Sequence, residues 1–284
     1  MIKRKLIEII KPLVEKFPSI ARKYRQLRDT RALGKEPQLT ELGFKFNGNE
    51  KMQNGLFEPF ETNLVKKLLP KIDFVVNVGA NIGYYVCHAL QSNKKVIAFE
   101  PIQTNINYLM RNVKANNWQE NCQIFPIALS NKIDIIEIYG GGTGASLIKG
   151  WAGTSEKYST LVPCSTINDL LGDRFDGEKI FIIVDIEGAE NMMLEGASKL
   201  LDMDPKPIWL FEISGREHQP KGTKINPYLL ETFERFWSRG YESISADSSL
   251  RKITKEEILK IIETQVDHLE THNFLFYEKN KKPI

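Results

Sequence analysis

Short apolar runs alternate with amphipathic stretches along most of the chain. Such runs predict strands buried on both faces of a sheet, and the stretches between them predict helices that cover it. The pattern therefore predicts an α/β fold, a doubly wound and mostly parallel sheet with helices on both faces. The predicted strands are 73–78, 95–99, 123–129, 133–139, 159–166, 179–186, 207–213, 241–246 and 273–278. The predicted helices are 56–69, 84–90, 104–116, 167–171, 189–201, 228–239 and 255–269.

The stretch 73–101 lies at the centre of this pattern and reads as strand, tight turn, helix and strand. Gly79 and Gly83 lie in the turn, and Glu100 follows the second strand. Glycines let the backbone approach a ligand closely, and the helix start presents free N–H groups. The spacing places the Glu100 carboxylate where ribose hydroxyls can be bound. We therefore expect a nucleotide-like ligand at the carboxyl ends of the strands.

The spacing of the glycines bears on which ligand this is. The dinucleotide fingerprint has glycines at the first, third and sixth positions, whereas the third position here is Asn81. Without the middle glycine a pyrophosphate cannot approach the turn as closely. S-adenosylmethionine carries a ribose and an adenine but no phosphate, so it suits this turn better than NAD. A turn that binds nothing is the remaining alternative.

Composition and charge indicate which partners and which cellular compartment to expect. The formal net charge of the 284-residue chain is +3, which indicates no nucleic-acid partner, but residues 1–36 carry +7 and the remainder −4. Cys87, Cys122 and Cys164 are scattered without metal-ligand spacing, as expected in a reducing compartment. The N-terminal apolar residues are interrupted by charges, which argues against a signal peptide. We therefore expect a cytoplasmic protein.

Residues 1–55 differ from the rest of the chain. They predict a basic amphipathic helix and a connector, and residues 56–284 form the predicted domain. For the helix within residues 1–28, one interpretation is packing on the domain or on a second subunit of a homodimer. The other is a peripheral contact with an anionic membrane surface or a protein partner.

Several motifs together resemble one family. VVNVGANIGYYV, VIAFEP, NVKANN, PIALSN, GASL, DIEGAE and IWLFEI occur in the order found in the FkbM family of S-adenosylmethionine-dependent methyltransferases. The similarity covers residues 56–278, and DIEGAE together with GANIG is its most specific part. The resemblance implies a class I methyltransferase with seven strands, the last antiparallel. It also implies that the acceptor is a hydroxyl of a sugar, glycan or related small molecule.

The resemblance also implies roles for individual residues. It assigns the GANIG turn to the methionine moiety, Glu100 to the ribose, Ile127 and Ala128 to the adenine edge, and Asp185 to a position beside the donor methyl. The predicted cofactor-binding residues are Asn77, Gly79, Ala80, Asn81, Gly83, Glu100, Pro101, Ile127, Ala128 and Asp185.

Two positions depart from the family pattern. The family usually has Asp where this chain has Asn77, and Lys where it has Ile183. These departures motivate an alternative function, a non-catalytic module that binds S-adenosylmethionine or a nucleotide and docks a partner through its basic N-terminal helix. The intact GANIG turn and Glu100 favour the enzyme.

Methyl transfer to an alcohol needs a base near the acceptor. Asp185 and Glu187 would face one side of the sheet if their strand persists, and Glu212 ends a neighbouring strand. Carboxylates so close together either raise one pKa, which suits a base, or bind a hard cation such as Mg²⁺. We predict a carboxylate base and no metal site. His218 is a second base candidate, and the glycine-rich stretch 140–146 is either a plain loop or a mobile lid.

Overall fold

A computed structural model of the protein describes residues 36–283. Its strands are β1 (Gln38–Leu39), β2 (Lys45–Phe46), β3 (Phe74–Val78), β4 (Lys95–Phe99), β5 (Cys122–Phe125), β6 (Ala128–Leu129), β7 (Asp134–Tyr139), β8 (Ser159–Ser165), β9 (Ile180–Val184), β10 (Ile208–Glu212), β11 (Tyr241–Ser245) and β12 (Asn273–Glu278). Its α-helices are α1 (Glu50–Gln53), α2 (Pro59–Leu68), α3 (Tyr84–Gln91), α4 (Gln103–Ala115), α5 (Ile167–Leu171), α6 (Glu190–Glu195), α7 (Ser198–Asp202), α8 (Leu229–Trp237) and α9 (Lys255–Thr264).

The main sheet has seven strands in the order β11-β12-β10-β9-β3-β4-β5. The pairs among β10, β9, β3, β4 and β5 are parallel. The last strand, β12, runs antiparallel to both β10 and β11. The predicted fold class is therefore confirmed, including the antiparallel last strand.

Both faces of this sheet are covered by apolar side chains. Val76 and Val78 of β3 belong to one buried cluster, and Val75 between them belongs to another. Every residue of β9 is buried, as its continuous apolar run predicts. Apolar side chains therefore pack on both faces of the central strands. Because these strands are parallel, their carboxyl ends lie at the same edge of the sheet.

The prediction of a single strand over residues 123–129 was wrong. The run divides into β5, which ends the main sheet, and β6, which belongs to a separate three-stranded sheet in the order β6-β8-β7. Pro126 lies between them and has no N–H to donate to a ladder. The strands predicted at 133–139 and 159–166 form as β7 and β8, and they pair in this smaller sheet.

Two predicted helices differ from their expected ranges. The helix predicted over 189–201 is divided at Gly196, where an added Cβ would lie against the carbonyl of Ser130 and the side chain of Thr166. The helix predicted over 255–269 ends at Thr264, because Gln265 has left-handed backbone angles. In both places the helix ends although the apolar periodicity of the sequence continues.

Residues 38–55, assigned above to the connector, pack against the helix that follows β3. Phe44, Phe46 and Met52 form a buried cluster with Tyr84 and Cys87 of α3. The helix predicted within residues 1–28 lies outside the described residues. Within residues 36–283, no helix combines the length and apolarity needed to span a bilayer.

Candidate functional site

The turn after β3 is built around Gly79, which has a left-handed φ of 75°. The N–H groups of Gly79 and Ala80 donate to the carbonyl of Phe99 at 2.9 and 3.0 Å, which ties the turn to the end of β4. A Cβ at residue 79 would overlap the backbone carbonyl of Asp185. Glycine is therefore required here, and the turn brings the ends of β3, β4 and β9 into contact.

Glu100 follows β4 and is buried beside this turn. Its carboxylate accepts hydrogen bonds from the N–H groups of Asn81 and Ile102, both at 2.8 Å, and from the amide of Asn105 at 3.2 Å. Burial raises the pKa of Glu100 to about 7, although these three hydrogen bonds lower it. The carboxylate is thus fixed in orientation and titrates near neutral pH.

A cavity of about 570 Å³, its open mouth included, begins at this turn. The predicted site residues that line it are Gly79, Asn81, Glu100, Pro101, Ile127, Ala128, Asp185 and Glu187. The side-chain oxygen of Asn81 is buried and has no hydrogen-bond partner within the described residues. An unpartnered acceptor and the Glu100 carboxylate therefore both belong to residues that line the cavity.

Three predicted cofactor-binding residues lie outside the cavity lining. Asn77 is buried in the sheet, where its side-chain amide donates to the carbonyl of Ile183 at 3.3 Å. Ala80 is part of the apolar core. Gly83 precedes α3 with left-handed backbone angles, and a Cβ there would collide with Leu109. These residues shape the turn and the sheet beneath the cavity.

Acidic side chains gather at the ends of β9 and β10. Burial, followed by repulsion from Glu187, raises the pKa of Asp185 well above its usual range. Burial and repulsion from Asp185 and Glu187 raise the pKa of Glu212 to about 10. Glu212 does not line the cavity, but the charges of Asp185 and Glu187, which do line it, contribute to the raised pKa of Glu212. Within residues 36–283, no three His, Cys, Asp or Glu side chains are grouped as a metal site requires.

The sequence analysis missed Glu58 as a member of this acidic group. Its charge contributes to the raised pKa values of Asp185 and Glu212. Glu58 precedes α2 with left-handed backbone angles, and its carboxylate accepts a hydrogen bond from the hydroxyl of Tyr85. In the next turn of α2, Glu61 accepts a hydrogen bond from Asn273 on β12. The start of α2 therefore lies over the acidic edge of the sheet.

The condition under which Asp185 and Glu187 would face one side of the sheet, a strand that persists through both residues, is not met. β9 ends at Val184, and Glu187 has a left-handed φ of 55°. The carboxylate of Glu187 instead accepts a hydrogen bond from the indole N–H of Trp151 at 2.7 Å. Its backbone carbonyl accepts one from the hydroxyl of Ser146. Residues 140–158, which include the predicted glycine-rich loop, are thereby fastened to the turn after β9.

His218 lies on the far side of Trp151 and not in the cavity lining. The two rings are 6.1 Å apart between centroids, and the carbonyl of His218 accepts a hydrogen bond from the N–H of Ala152 at 2.7 Å. The structure therefore gathers Asp185 and Glu187 at the cavity, with Glu212 electrostatically linked to them and His218 further away.

Two further residues escaped the sequence analysis. Asn105 is buried and its amide donates both to Glu100 and to the carbonyl of Gly142 at 3.0 Å, which joins α4 to the glycine-rich loop. Trp151 is 3% exposed although it lies in a stretch rich in glycine and polar residues. A lone tryptophan in such a stretch is the only signal that could have indicated an anchored loop.

Comparison with known proteins gave a family and a set of similar folds. The family model described as the methyltransferase FkbM domain matches residues 77–243, more than half of the chain. Comparison with curated proteins gave no match. The family predicted from the sequence motifs is therefore confirmed by the family model.

Among solved structures, the methyltransferase FkbM from Methylobacillus flagellatus is 14% identical, with a TM-score of 0.43. The match covers 90% of this chain and 60% of that one, so this chain spans well under the full length of that relative. The precorrin-6y C5,15-methyltransferase from Geobacter metallireducens is 11% identical, with a TM-score of 0.41, and covers 82% of this chain and 93% of its own.

The O-methyltransferase from Bacillus cereus, solved in complex with SAH, is 10% identical, with a TM-score of 0.39. Its match covers 76% of this chain and 77% of that one. Because these similarities are low, the assignment follows from the family model and from the motifs that it spans. The chain belongs to the FkbM family of methyltransferases.

Proposed function

We propose that the protein transfers a methyl group from S-adenosylmethionine to a hydroxyl of a sugar, a glycan or a related natural product. The observation that carries this proposal is a single cavity that joins the Gly79 turn, the Glu100 carboxylate and the carboxyl group of Asp185. The residues that we propose to bind the nucleoside of the donor and the acidic residue that we propose to act in the reaction thus line the same cavity. The family assignment supports methyl transfer, and the site geometry supports the donor and the type of acceptor.

The residues of the cavity fit S-adenosylmethionine. Gly79 permits the close approach of the turn to Asp185 at the cavity, and Glu100 presents a fixed carboxylate for ribose hydroxyls. The unpartnered oxygen of Asn81 offers a further acceptor for a polar group of the donor. Ile127 and Ala128 supply an apolar wall suited to an adenine edge. None of these features provides the closely spaced glycines that a pyrophosphate needs.

The acidic residues suit the chemistry that follows donor binding. When bound, S-adenosylmethionine supplies an electrophilic methyl group on a positively charged sulfur. Asp185 lies at the cavity, where its carboxyl group can accept the proton of an acceptor hydroxyl. The raised pKa of Asp185 makes it a stronger base once ionised. Repulsion from Glu187 and Glu58 contributes to that raised pKa.

The alternative, a non-catalytic binding module, rested on Asn77 and Ile183. These two residues are opposite each other in the register of β3 and β9, and both are 3% exposed. The pattern of the resembling family would place an Asp and a Lys there, a pair of opposite charges. Here both charges are absent together, so neither leaves an unpaired buried ion. The departures therefore conserve neutrality in the sheet and do not alter the residues that line the cavity.

Incubation with methyl-labelled S-adenosylmethionine and a panel of sugars, glycans and glycolipids tests the proposal. We expect a labelled product whose mass increases by one methyl group, with label on an oxygen. Tight binding of NAD without binding of S-adenosylmethionine would contradict the donor assignment. Labelled product on nitrogen or carbon would retain the enzyme and contradict the hydroxyl acceptor.

A further inference from the structure

Trp151 connects three segments that meet beside the cavity. Its indole N–H donates to Oε2 of Glu187 at 2.7 Å. Its ring packs over Gly188, where an added Cβ would lie 2.6 Å from a ring carbon. The next residue, Ala152, donates its N–H to the carbonyl of His218. One buried side chain therefore holds the loop 140–158 against the turn after β9 and the loop after β10.

These contacts fix the carboxylate of Glu187. An indole N–H is a donor only, so it occupies a lone pair of the oxygen that it bonds. The second oxygen, Oε1, makes no hydrogen bond to any of residues 36–283. The backbone of Glu187 is also held, because its carbonyl accepts the hydroxyl of Ser146. Glu187 lines the cavity together with Asp185, so the carboxylate with this unbonded oxygen is on a residue of the cavity wall.

We propose that Trp151 is a positioning residue, whose indole N–H orients Glu187 so that Oε1 accepts a hydrogen bond from the acceptor hydroxyl. This inference rests on the proposed function, because it concerns the acceptor of that reaction. It assigns Glu187 to acceptor binding and leaves proton removal to Asp185. It also explains the glycine of DIEGAE at position 188, since any larger residue would displace the indole.

A purely structural role for Trp151 makes different predictions. If only the ring matters, Trp151→Phe should behave as the wild-type protein, because it keeps the packing on Gly188. If the N–H matters, Trp151→Phe should lose the hydrogen bond that orients the Glu187 carboxylate, while the loop 140–158 stays packed on Gly188. Trp237→Phe is the matched control, since its indole N–H donates to the hydroxyl of Ser243 at 2.9 Å, away from the cavity lining.

The first measurement needs no acceptor. In protein with ¹⁵N-labelled indoles, Trp151→Phe identifies the N–H resonance of Trp151 by its loss. We expect Glu187→Gln to shift that resonance and to leave the resonance of Trp237 in place. If Glu187→Gln leaves the Trp151 resonance unmoved, the two side chains are not coupled and the inference is wrong.

The second measurement uses the acceptor that the labelled-donor screen identifies. We expect Trp151→Phe to lower kcat/KM for the acceptor by about 10- to 100-fold, as for a lost hydrogen bond to a charged group. Binding of S-adenosylhomocysteine should change less than about twofold, and Trp237→Phe should match the wild type. The double variant with Glu187→Gln should be no slower than Glu187→Gln alone, because the two residues act as one unit.

Wild-type turnover in Trp151→Phe, or independent losses in the double variant, would overturn the inference. Absence of any methyl transfer by the wild-type protein has a different meaning. If the Trp151 resonance still responds to Glu187→Gln in that case, the proposed function fails while the Trp151–Glu187 coupling stands.

Discussion

Glu100 is the residue whose geometry bears most directly on donor binding. Its two carboxylate oxygens are held by three N–H donors, so the side chain needs little ordering when a ligand arrives. A carboxylate accepts up to about four hydrogen bonds, which leaves capacity for a ribose hydroxyl. Burial raises its pKa to about 7, and only the ionised form is a pure acceptor.

We therefore expect the affinity for S-adenosylmethionine to rise with pH through about 7. If only the ionised carboxylate binds, affinity at pH 6 should be about tenfold lower than at pH 8. Glu100→Gln should weaken binding by about 1–3 kcal/mol at pH 8 and remove this pH dependence. Calorimetry with S-adenosylhomocysteine across this range measures both effects. A variant that retains the wild-type pH dependence would show that another group titrates.

Asp185 and Glu212 repel each other in a crowded site, and both pKa values are raised. A base must be ionised, so turnover should rise with pH as Asp185, whose pKa is raised by burial and by repulsion from Glu187, loses its proton. Asp185→Asn should lower turnover by roughly 10²–10⁴-fold with donor binding retained. Glu58→Gln removes one of the negative charges that raise the pKa of Asp185, which should lower that pKa and move the rising limb of the profile to lower pH.

Steady-state rates measured between pH 6 and 10 test this assignment. His218→Ala is the control, because that ring lies beyond Trp151 and outside the cavity lining. An inactive His218→Ala alongside an active Asp185→Asn would move the base to the histidine.

Sequence reasoning was most successful for residues whose position follows from strand ends. Gly79, Glu100 and Asp185 each lie where a predicted parallel strand finishes, and they meet because such ends share one edge. Glu58 and Trp151 could not be found in this way. Each reaches the site through a loop or a left-handed turn, and contacts of that kind depend on the folded path of the chain rather than on local periodicity.

At the scale of elements, the β3–β9 pair holds the two departures from the family pattern. Asn77 and Ile183 face each other in register, and the amide of Asn77 donates to the carbonyl of Ile183. A charged residue at either position alone would be buried without a partner, which is strongly unfavourable. The two positions should therefore tolerate a joint exchange better than single ones.

We predict that Asn77→Asp and Ile183→Lys each destabilise the fold, by roughly 3 kcal/mol for an uncompensated buried charge. The double variant should recover most of that loss, because the two new charges pair across the strands. Unfolding in urea, followed by circular dichroism, gives the free energies of the four proteins. Additive losses in the double variant would mean that the side chains do not meet.

Element boundaries show where periodicity stops being informative. β4 and β12 match their predicted ranges because each is a compact apolar run in the sheet. The run 123–129 keeps its apolar character across Pro126, yet it serves two different sheets. An apolar pattern indicates that a residue is buried but not which strand it pairs with. The division of residues 123–129 between two sheets could therefore not be predicted from the apolar pattern.

At the scale of the whole molecule, the cavity-lining residues within the described range 36–283 fall between residues 78 and 189. The compact unit that contains them begins at Gln38. The basic residues that give the N-terminal segment its charge precede that unit. The basic segment and the described cavity lining are therefore separate stretches of the sequence.

We expect deletion of residues 1–28 to leave affinity for S-adenosylhomocysteine within about twofold of the full-length value, because no cavity-lining residue is removed. Vesicle co-sedimentation and analytical ultracentrifugation of both proteins then show whether the segment serves membrane contact or self-association. Loss of donor binding on truncation would place the segment in the core of the domain.

The central claim is methyl transfer from S-adenosylmethionine to a hydroxyl through the cavity at Gly79 and Glu100. Its most direct test is mass spectrometry of reactions that contain methyl-deuterated donor, a panel of sugar and glycan acceptors, and either wild-type protein or Asp185→Asn. The account predicts a product that carries one deuterated methyl group on oxygen with the wild type, and little or none with the variant. Tight donor binding by the wild type with no labelled product from any acceptor would contradict it and would favour the non-catalytic binding module.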